Sequence, residues 1–264
     1  MRLPVNGHDA YAYTGGKPFD AALPAVVFIH GASHDHSVWA LQSRYLAHHG
    51  YGVLALDLPG HVRSAGAPLA SVEDMAAWVI AVLDAAGVKR AALAGHSMGS
   101  LIAIEAAGAY PERVSKIALI GTAVPMQVGP ELLNATRSDE PLAQSMVNIW
   151  SHSTYAAKPS NPGPGFSTVG GNLRLMQRVK PGVMYADFNA CNAYVRGLER
   201  AATLTCPALL VLGADDVMAQ PRNARELQAA LKHGRTVQLA SCGHSVMAEH
   251  PDAVLDALCQ FLPD

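Results

Sequence analysis

Gly95-His96-Ser97-Met98-Gly99 matches the pattern G-x-S-x-G. Chance alone would produce it in about one chain in ten of this length, so its setting matters more than its letters. The setting is an apolar run, Arg90 to Gly95, followed by an alanine-rich stretch, Met98 to Ala109. Between a strand and a helix, glycines permit a tight, strained turn that lifts the serine hydroxyl above the sheet edge. A serine hydroxyl is a poor nucleophile at neutral pH. It needs a base within hydrogen-bond reach, and the base needs a carboxylate that fixes its tautomer. Gly243-His244 follows the apolar run Val237 to Ala240 and precedes a terminal helical stretch, a place from which a side chain can return over the sheet. That position separates His244 from the other histidines, including His30 and His96. Asp215 and Asp216 follow the run Pro207 to Gly213, which gives the chain order Ser, Asp, His. The chemistry implied is two-step acyl transfer: attack by Ser97 on a carbonyl, proton transfer through His244, and hydrolysis of the acyl-enzyme by water.

These residues must be held by alternating strands and helices. Asn6-Gly7 is a hairpin signal, and Ala25 to Ile29 reads as a buried strand. Val38 to His49 is helical in pattern, Gly50-Tyr51-Gly52 stops it, and Val53 to Asp57 is a second buried strand. Ser71 and Asp74 form a capping box ahead of Met75, Trp78, Val79, Val82 and Leu83 at helical spacing. Val114 to Gly121 is a further strand. Strands apolar on both faces and alternating with helices predict an α/β fold with a mostly parallel sheet covered on both sides. The rhythm breaks after Gly121 and returns at Pro207. The intervening segment carries helical stretches near Pro141 to Trp150 and Gly182 to Arg200, separated by the irregular Lys158 to Gly165. Helix, strand and helix follow at Arg222 to Lys232, Thr236 to Ala240 and Pro251 to Phe261.

Composition narrows the classes. The 264 residues are 50% hydrophobic and 15% charged, with a formal net charge of -2, so a large core can form and no basic surface exists for nucleic acid. The length suits one α/β domain. No apolar run reaches membrane-spanning length. Four cysteines without C-x-x-C spacing, and a start, MRLPVNGHDAYAY, without an apolar signal region, lead us to expect reduced thiols and a cytoplasmic location. His34-Asp35-His36 lacks a third defined ligand in the sequence, so no metal is expected, nor any cofactor.

At these residues the sequence resembles the α/β-hydrolase superfamily over nearly its whole length. The marks are His30-Gly31, Asp57-Leu58-Pro59-Gly60-His61, the turn at Ser97, Gly213-Ala214-Asp215-Asp216, and Gly243-His244 with Glu249-His250-Pro251. The resemblance implies a hydrolase core at about 1–121 and 203–264, with a helical cap at about 122–202. It implies an oxyanion hole made by the backbone N–H groups of Ala32 and Met98, and an acid three residues after the strand-ending glycine, which is Asp216. The chain departs from the family's Gly-His-Gly-x-Ser at Gly60-His61-Val62-Arg63-Ser64. Ser97 stands where dehalogenase and epoxide hydrolase branches carry aspartate, so those chemistries are not expected.

The expected substrate is a small molecule, a carboxylic ester or lactone of mainly apolar character. Met126, Met146, Trp150 and Met184 are the expected pocket residues, with Phe166, Met176 and Tyr185 as further cap candidates. Two alternatives stay open: a carbon-carbon hydrolase of ring-cleavage diketones, a branch that usually has Asn where this chain has His96, and a small-molecule receptor on the same scaffold. In the carbon-carbon case Arg174, Arg178 and Arg196 are the cap cations to consider.

Overall fold

The structure is a computed structural model that describes residues 1–156 and 167–263. Asn6 and Gly7, at φ of 50° and 80°, turn β1 (Arg2–Val5) back onto β2 (His8–Tyr13) as an antiparallel hairpin. Two successive positive φ values match the right-handed twist of the strands, which is why Asn-Gly suits this turn. Strand β2 also pairs antiparallel with β4 (Gly52–Asp57). From there the sheet is parallel: β3 (Ala25–Ile29), β5 (Ala91–His96), β6 (Val114–Ile120), β7 (Ala208–Gly213) and β8 (Gly234–Leu239) complete the order β1-β2-β4-β3-β5-β6-β7-β8.

Parallel strands need crossovers, and helices supply them on both faces. In β3, Val27 and Ile29 pack into the layer of α2 (Val72–Ala85) and α3 (Met98–Ala109), while Val26 and Phe28 pack toward α1 (Ala40–His48) and the C-terminal helix α10 (Pro251–Phe261). This is the both-faces-apolar pattern read from the sequence. The capping box is formed: Ser71 Oγ accepts the Asp74 N–H and donates to the Asp74 carboxylate.

Between β6 and β7 the chain runs through α4 (Pro130–Ser138), α5 (Glu140–Trp150), α6 (Thr168–Met176), α7 (Val183–Ala193) and α8 (Gly197–Thr203). Helix α4 packs on α5 and α7, and α5 packs on α6. Helix α8 instead lies on α3 and on α9 (Arg225–Ala230), so packing on the sheet layer resumes inside the segment read as the cap. The stretch read as one helix from Gly182 to Arg200 is two. Tyr194 takes an extended conformation and turns its hydroxyl to Glu105, and that interrupts the helix. Two helices were not foreseen. In α4 the signal was the Gly129-Pro130 start, whereas α6 contains Gly170 and Gly171, poor helix formers, and is held by Ser167 capping the Gly170 N–H. The irregular stretch Lys158 to Gly165 and Phe166 lie outside the described residues. Among the described residues, no helix is long and apolar enough to cross a membrane.

One buried carboxylate joins the inserted helices to the sheet layer. Glu105 on α3 accepts from the Tyr194 hydroxyl at 2.8 Å and from Arg200 Nη2 at 2.8 Å. Burial together with the adjacent carboxylate pushes the Tyr194 phenol well above its ordinary pKa. Glu105→Ala strands both donors, and breaking a buried pair on one side costs about 3 kcal/mol. Urea unfolding of the variant is expected to show that loss; unchanged stability would remove Glu105 as the anchor.

Candidate active site

Ser97 occupies the single-residue junction between β5 and α3, at φ 52° and ψ -117°, outside the broad regions open to a non-glycine residue. Such a conformation costs on the order of 1–3 kcal/mol and persists only when its surroundings over-determine it. Here they do. A Cβ on Gly95 would collide with the Gly99 carbonyl, and one on Gly99 would collide with the Ile29 carbonyl, so only two glycines let helix α3 begin this close to the sheet. The Ser97 N–H donates to the Ile120 carbonyl of β6 at 2.9 Å, which ties the junction to the neighbouring strand. Ser97 is half-buried, and its Oγ lies 3.9 Å from Met126 Sδ.

His244 is buried on the loop after β8, and its Nδ1 donates to Asp216 Oδ2 at 2.7 Å. The other oxygen of Asp216 accepts the N–H groups of Met218 (2.9 Å) and Ala219 (2.8 Å). Burial opposes the Asp216 charge, but His244 and these two amide donors outweigh it and hold the carboxyl below the usual carboxylate range. The imidazole is thereby fixed with its proton on Nδ1, which leaves Nε2 free to accept one. Asp215 is exposed, so of the two adjacent aspartates the structure brings Asp216 to the histidine.

Several residues that the sequence did not assign hold His244 in place. His96 Nε2 donates to the His244 carbonyl at 2.9 Å. Burial and the neighbouring His244 push the His96 pKa well below its ordinary value, so His96 is a neutral strut. Glu249 accepts the Gly243 N–H at 3.1 Å and the Ser153 hydroxyl at 2.5 Å, and the Ser245 N–H donates to the Ser151 carbonyl at 2.7 Å. Residues 151–153 follow α5, so this clamp ties the inserted helices to the histidine loop. Glu249 stood in the sequence within Glu249-His250-Pro251, but spacing alone could not say what its carboxylate would meet.

Ser97 and His244 line a cavity of about 210 Å³ together with Ala32, Met126, Trp150 and Phe188. Trp150 is partly exposed at its rim. The expected positions of Ala32, Met126 and Trp150 are therefore at the cavity. Met146 and Met184 do not line it: Met184 shares a face of α7 with Phe188 and Cys191 but, one turn earlier in the helix, is fully buried in the core, and Met146 packs against the same core. Met176 is also core, and Tyr185 lies under the Arg137 guanidinium. The periodicity of a short helix tells which residues share a face, as Met146 does with Trp150 and Met184 with Phe188, but not how far along that face the cavity extends. Met98 opens α3 directly after Ser97, so its N–H is among the first helical amides, which have no partner within the helix. His30, neutral because burial and His61 lower its pKa far below normal, donates from Nδ1 to the Gly31 carbonyl and accepts the Leu58 N–H at Nε2. This holds the peptide that carries the Ala32 N–H.

His34 and His36 diverge. His34 bonds the Ala32 carbonyl and Asn172, and His36 bonds Asp57. The ligand atoms of Asp35, His36 and Asp57 lie within 4.8 Å of one another, but they are engaged by Ser37, Arg63, Arg178 and each other.

A family model described as the alpha/beta hydrolase fold matches residues 24–251. The chain belongs to the α/β-hydrolase family. Within it, the chain is 29% identical over 257 residues to 2-hydroxy-6-oxononadienedioate/2-hydroxy-6-oxononatrienedioate hydrolase of Paraburkholderia phymatum, covering 92% of this chain and 88% of the relative. It is 26% identical over 246 residues to (E)-2-((N-methylformamido)methylene)succinate hydrolase of Acinetobacter baylyi, covering 90% and 89%. Among solved structures, the enol-lactonase from Burkholderia xenovorans LB400 superposes with a TM-score of 0.87 at 24% identity over the whole of both chains. That likeness supports the α/β-hydrolase fold read from the sequence.

Because the Asp216 pKa is lower folded than unfolded, its contribution to stability is fully present above the unfolded carboxylate value of about 3.9 and is lost as pH falls through the folded one. Wild-type unfolding free energy is expected to fall more steeply than that of Asp216→Asn as pH drops from about 5 to 3. Parallel curves in urea titrations would contradict the charge pairing.

Proposed function

We propose that this protein is a serine hydrolase that cleaves ester or lactone bonds of small, uncharged, mainly apolar substrates through an acyl-enzyme on Ser97. The observation that carries the reading is one small cavity walled by Ser97 on its strained turn and by His244 backed by Asp216, with no Lys, Arg, Asp or Glu among its described lining residues.

In the first step Ser97 Oγ bonds to the carbonyl carbon while its proton passes to His244 Nε2. The negative charge moves to the carbonyl oxygen, where the Ala32 and Met98 N–H groups receive it. Collapse of this intermediate breaks the bond to the leaving alcohol, which takes the proton from His244. Water then attacks the acyl group, again losing its proton to His244, and the acid departs as Ser97 regains a proton. Asp216 stabilises the imidazolium at each stage without itself taking the proton.

Carbon-carbon cleavage is the competing chemistry, and the similarity to a relative named 2-hydroxy-6-oxononadienedioate/2-hydroxy-6-oxononatrienedioate hydrolase keeps it in view. Against it stands the lining of the cavity. A substrate bearing free carboxylates needs cationic partners, yet Arg174 bonds Gln177, Arg178 pairs with Asp35, and Arg196 pairs with Glu199. Neutral esters with short acyl chains are expected to turn over faster than any diketone carrying a carboxylate, and the opposite ranking in a side-by-side panel would reverse the proposal.

Variants separate the roles. Ser97→Ala should lower ester turnover by more than about 10³-fold with little change in Tm, since the hydroxyl faces the cavity. Asp216→Asn should lower it roughly 10⁴-fold. Asp215→Asn, at an exposed position, should stay within about tenfold of wild type. A crippled Asp215→Asn beside a nearly normal Asp216→Asn would move the acid by one residue.

A further inference from the structure

The loop that carries the Ala32 N–H is gripped by a carboxylate from a helix that also lines the cavity. Asp187 sits on α7, the helix whose Phe188 and Cys191 line the cavity, and is fully buried. Its Oδ2 accepts the Ser33 N–H at 2.8 Å and the His61 Nε2–H at 2.9 Å. Ser33 stands at φ 58°, a left-handed conformation that a serine adopts only when held.

The two peptides that flank the Ala32 Cα are both fixed by side chains. His30 holds the Gly31 carbonyl, whose peptide supplies the Ala32 N–H. His34 Nδ1 donates to the Ala32 carbonyl at 2.7 Å, and Asp187 takes the N–H of that same peptide. Nothing within residues 30–34 provides an acceptor for the Ser33 amide in this turn; the inserted helices provide it.

A neutral acceptor would hold a turn at lower cost, because burying a carboxylate demands compensation. Compensation is supplied by His61. Its Nδ1 donates to the Pro59 carbonyl at 3.1 Å while Nε2 donates to Asp187, so both nitrogens carry protons and the ring is cationic. Burial resists that charge, but Asp187 outweighs it, with Asp57 assisting, and the His61 pKa is raised. The neighbouring His30 ring, 4.6 Å away, is neutral. Two buried polar atoms, Asp187 Oδ1 and Ser33 Oγ, have no partner, so the arrangement is not one optimised for stability alone.

We propose that Asp187 is a positioning residue for the oxyanion donor Ala32, so that the oxyanion hole is complete only when the cap helix α7 is seated on the loop after β3. The inference rests on the reading of Ser97 as nucleophile and Ala32 as oxyanion donor. Asp187 touches neither substrate nor Ser97; it acts through the Ser33 turn. Losing it should therefore weaken what binds the oxyanion more than what binds the neutral substrate.

The test compares wild type, Asp187→Ala and Asp187→Asn in hydrolysis of 4-nitrophenyl butyrate and in inhibition by an alkyl trifluoromethyl ketone. Ser97 adds to that ketone, its proton passing to His244, to give a hemiketal bearing the oxyanion. Asp187→Ala is expected to lose about 100-fold in kcat with KM changed less than about threefold, and to bind the ketone more weakly by a similar factor as kcat/KM falls. Asp187→Asn keeps an oxygen for the Ser33 N–H and should recover to within about tenfold of wild type. A folded Asp187→Ala variant with wild-type kcat, a loss in that variant confined to KM, or an asparagine variant no better than alanine would overturn the proposal. If Asp187→Ala does not fold, the near-isosteric Asp187→Leu takes its place, with the same kcat loss expected and the same outcomes overturning the proposal. A wild type that neither turns over the ester nor binds the ketone would instead overturn the proposed function, and this inference with it.

Discussion

The close approach of α3 to the sheet is the constraint on which the rest of the site depends. Gly95 and Gly99 leave no Cβ between helix and strand, and Ser97, at the crest, is forced into a conformation a serine does not choose. That geometry costs energy locally, and the packing of β5 and α3 into the sheet offsets it. In exchange the hydroxyl stands clear of its own backbone, at the start of a helix whose first amides lack partners. Every other group in the site is placed relative to this fixed point. The loops after β3, β7 and β8 bring Ala32, Asp216 and His244 to the same end of the parallel sheet, which is where side chains from different strands can converge.

The inserted helices are part of that machinery as well as its cover. Glu249 and the Ser151 carbonyl bind the loop after α5 to the peptides around His244. Asp187 binds α7 to the turn after Ala32, and Glu105 fixes the return path at Tyr194 and Arg200. Each of these ties is a buried or half-buried polar contact with defined geometry, so the segment is registered on the sheet by a few directional bonds as well as by apolar packing. The apolar cavity walls, Met126 and Phe188 among them, then set what fits above Ser97.

Much of this was legible in the residues. The buried strands, the hairpin at Asn6-Gly7, the capping box at Ser71 and the helix from Met98 to Ala109 follow from period, turn chemistry and glycine placement, all of which are local. Ser97 and His244 were legible because a strand-to-helix turn and a post-strand loop have few uses for those types in that order. Asp216 over Asp215 came from the family spacing and not from the residues themselves. What stayed hidden depends on long-range contact. Met184 and Met146 read as pocket residues because a methionine on a cap helix is apolar and adaptable, and only long-range packing puts Met184 in the core and Met146 against it. Asp187 reads as an ordinary helix aspartate until its partner 154 positions away is known. His61 gave no sign of its charge, since that charge exists only because α7 brings a carboxylate to it.

The proposal that Ser97 is the nucleophile, with His244 as its base and an oxyanion site beside it, is tested most directly by a fluorophosphonate that phosphonylates activated serines. Intact mass should rise by a single adduct, and peptide mapping should place it on the peptide containing Ser97. No adduct, or an adduct on another residue with Ser97 unmodified and ester turnover abolished, would contradict the account.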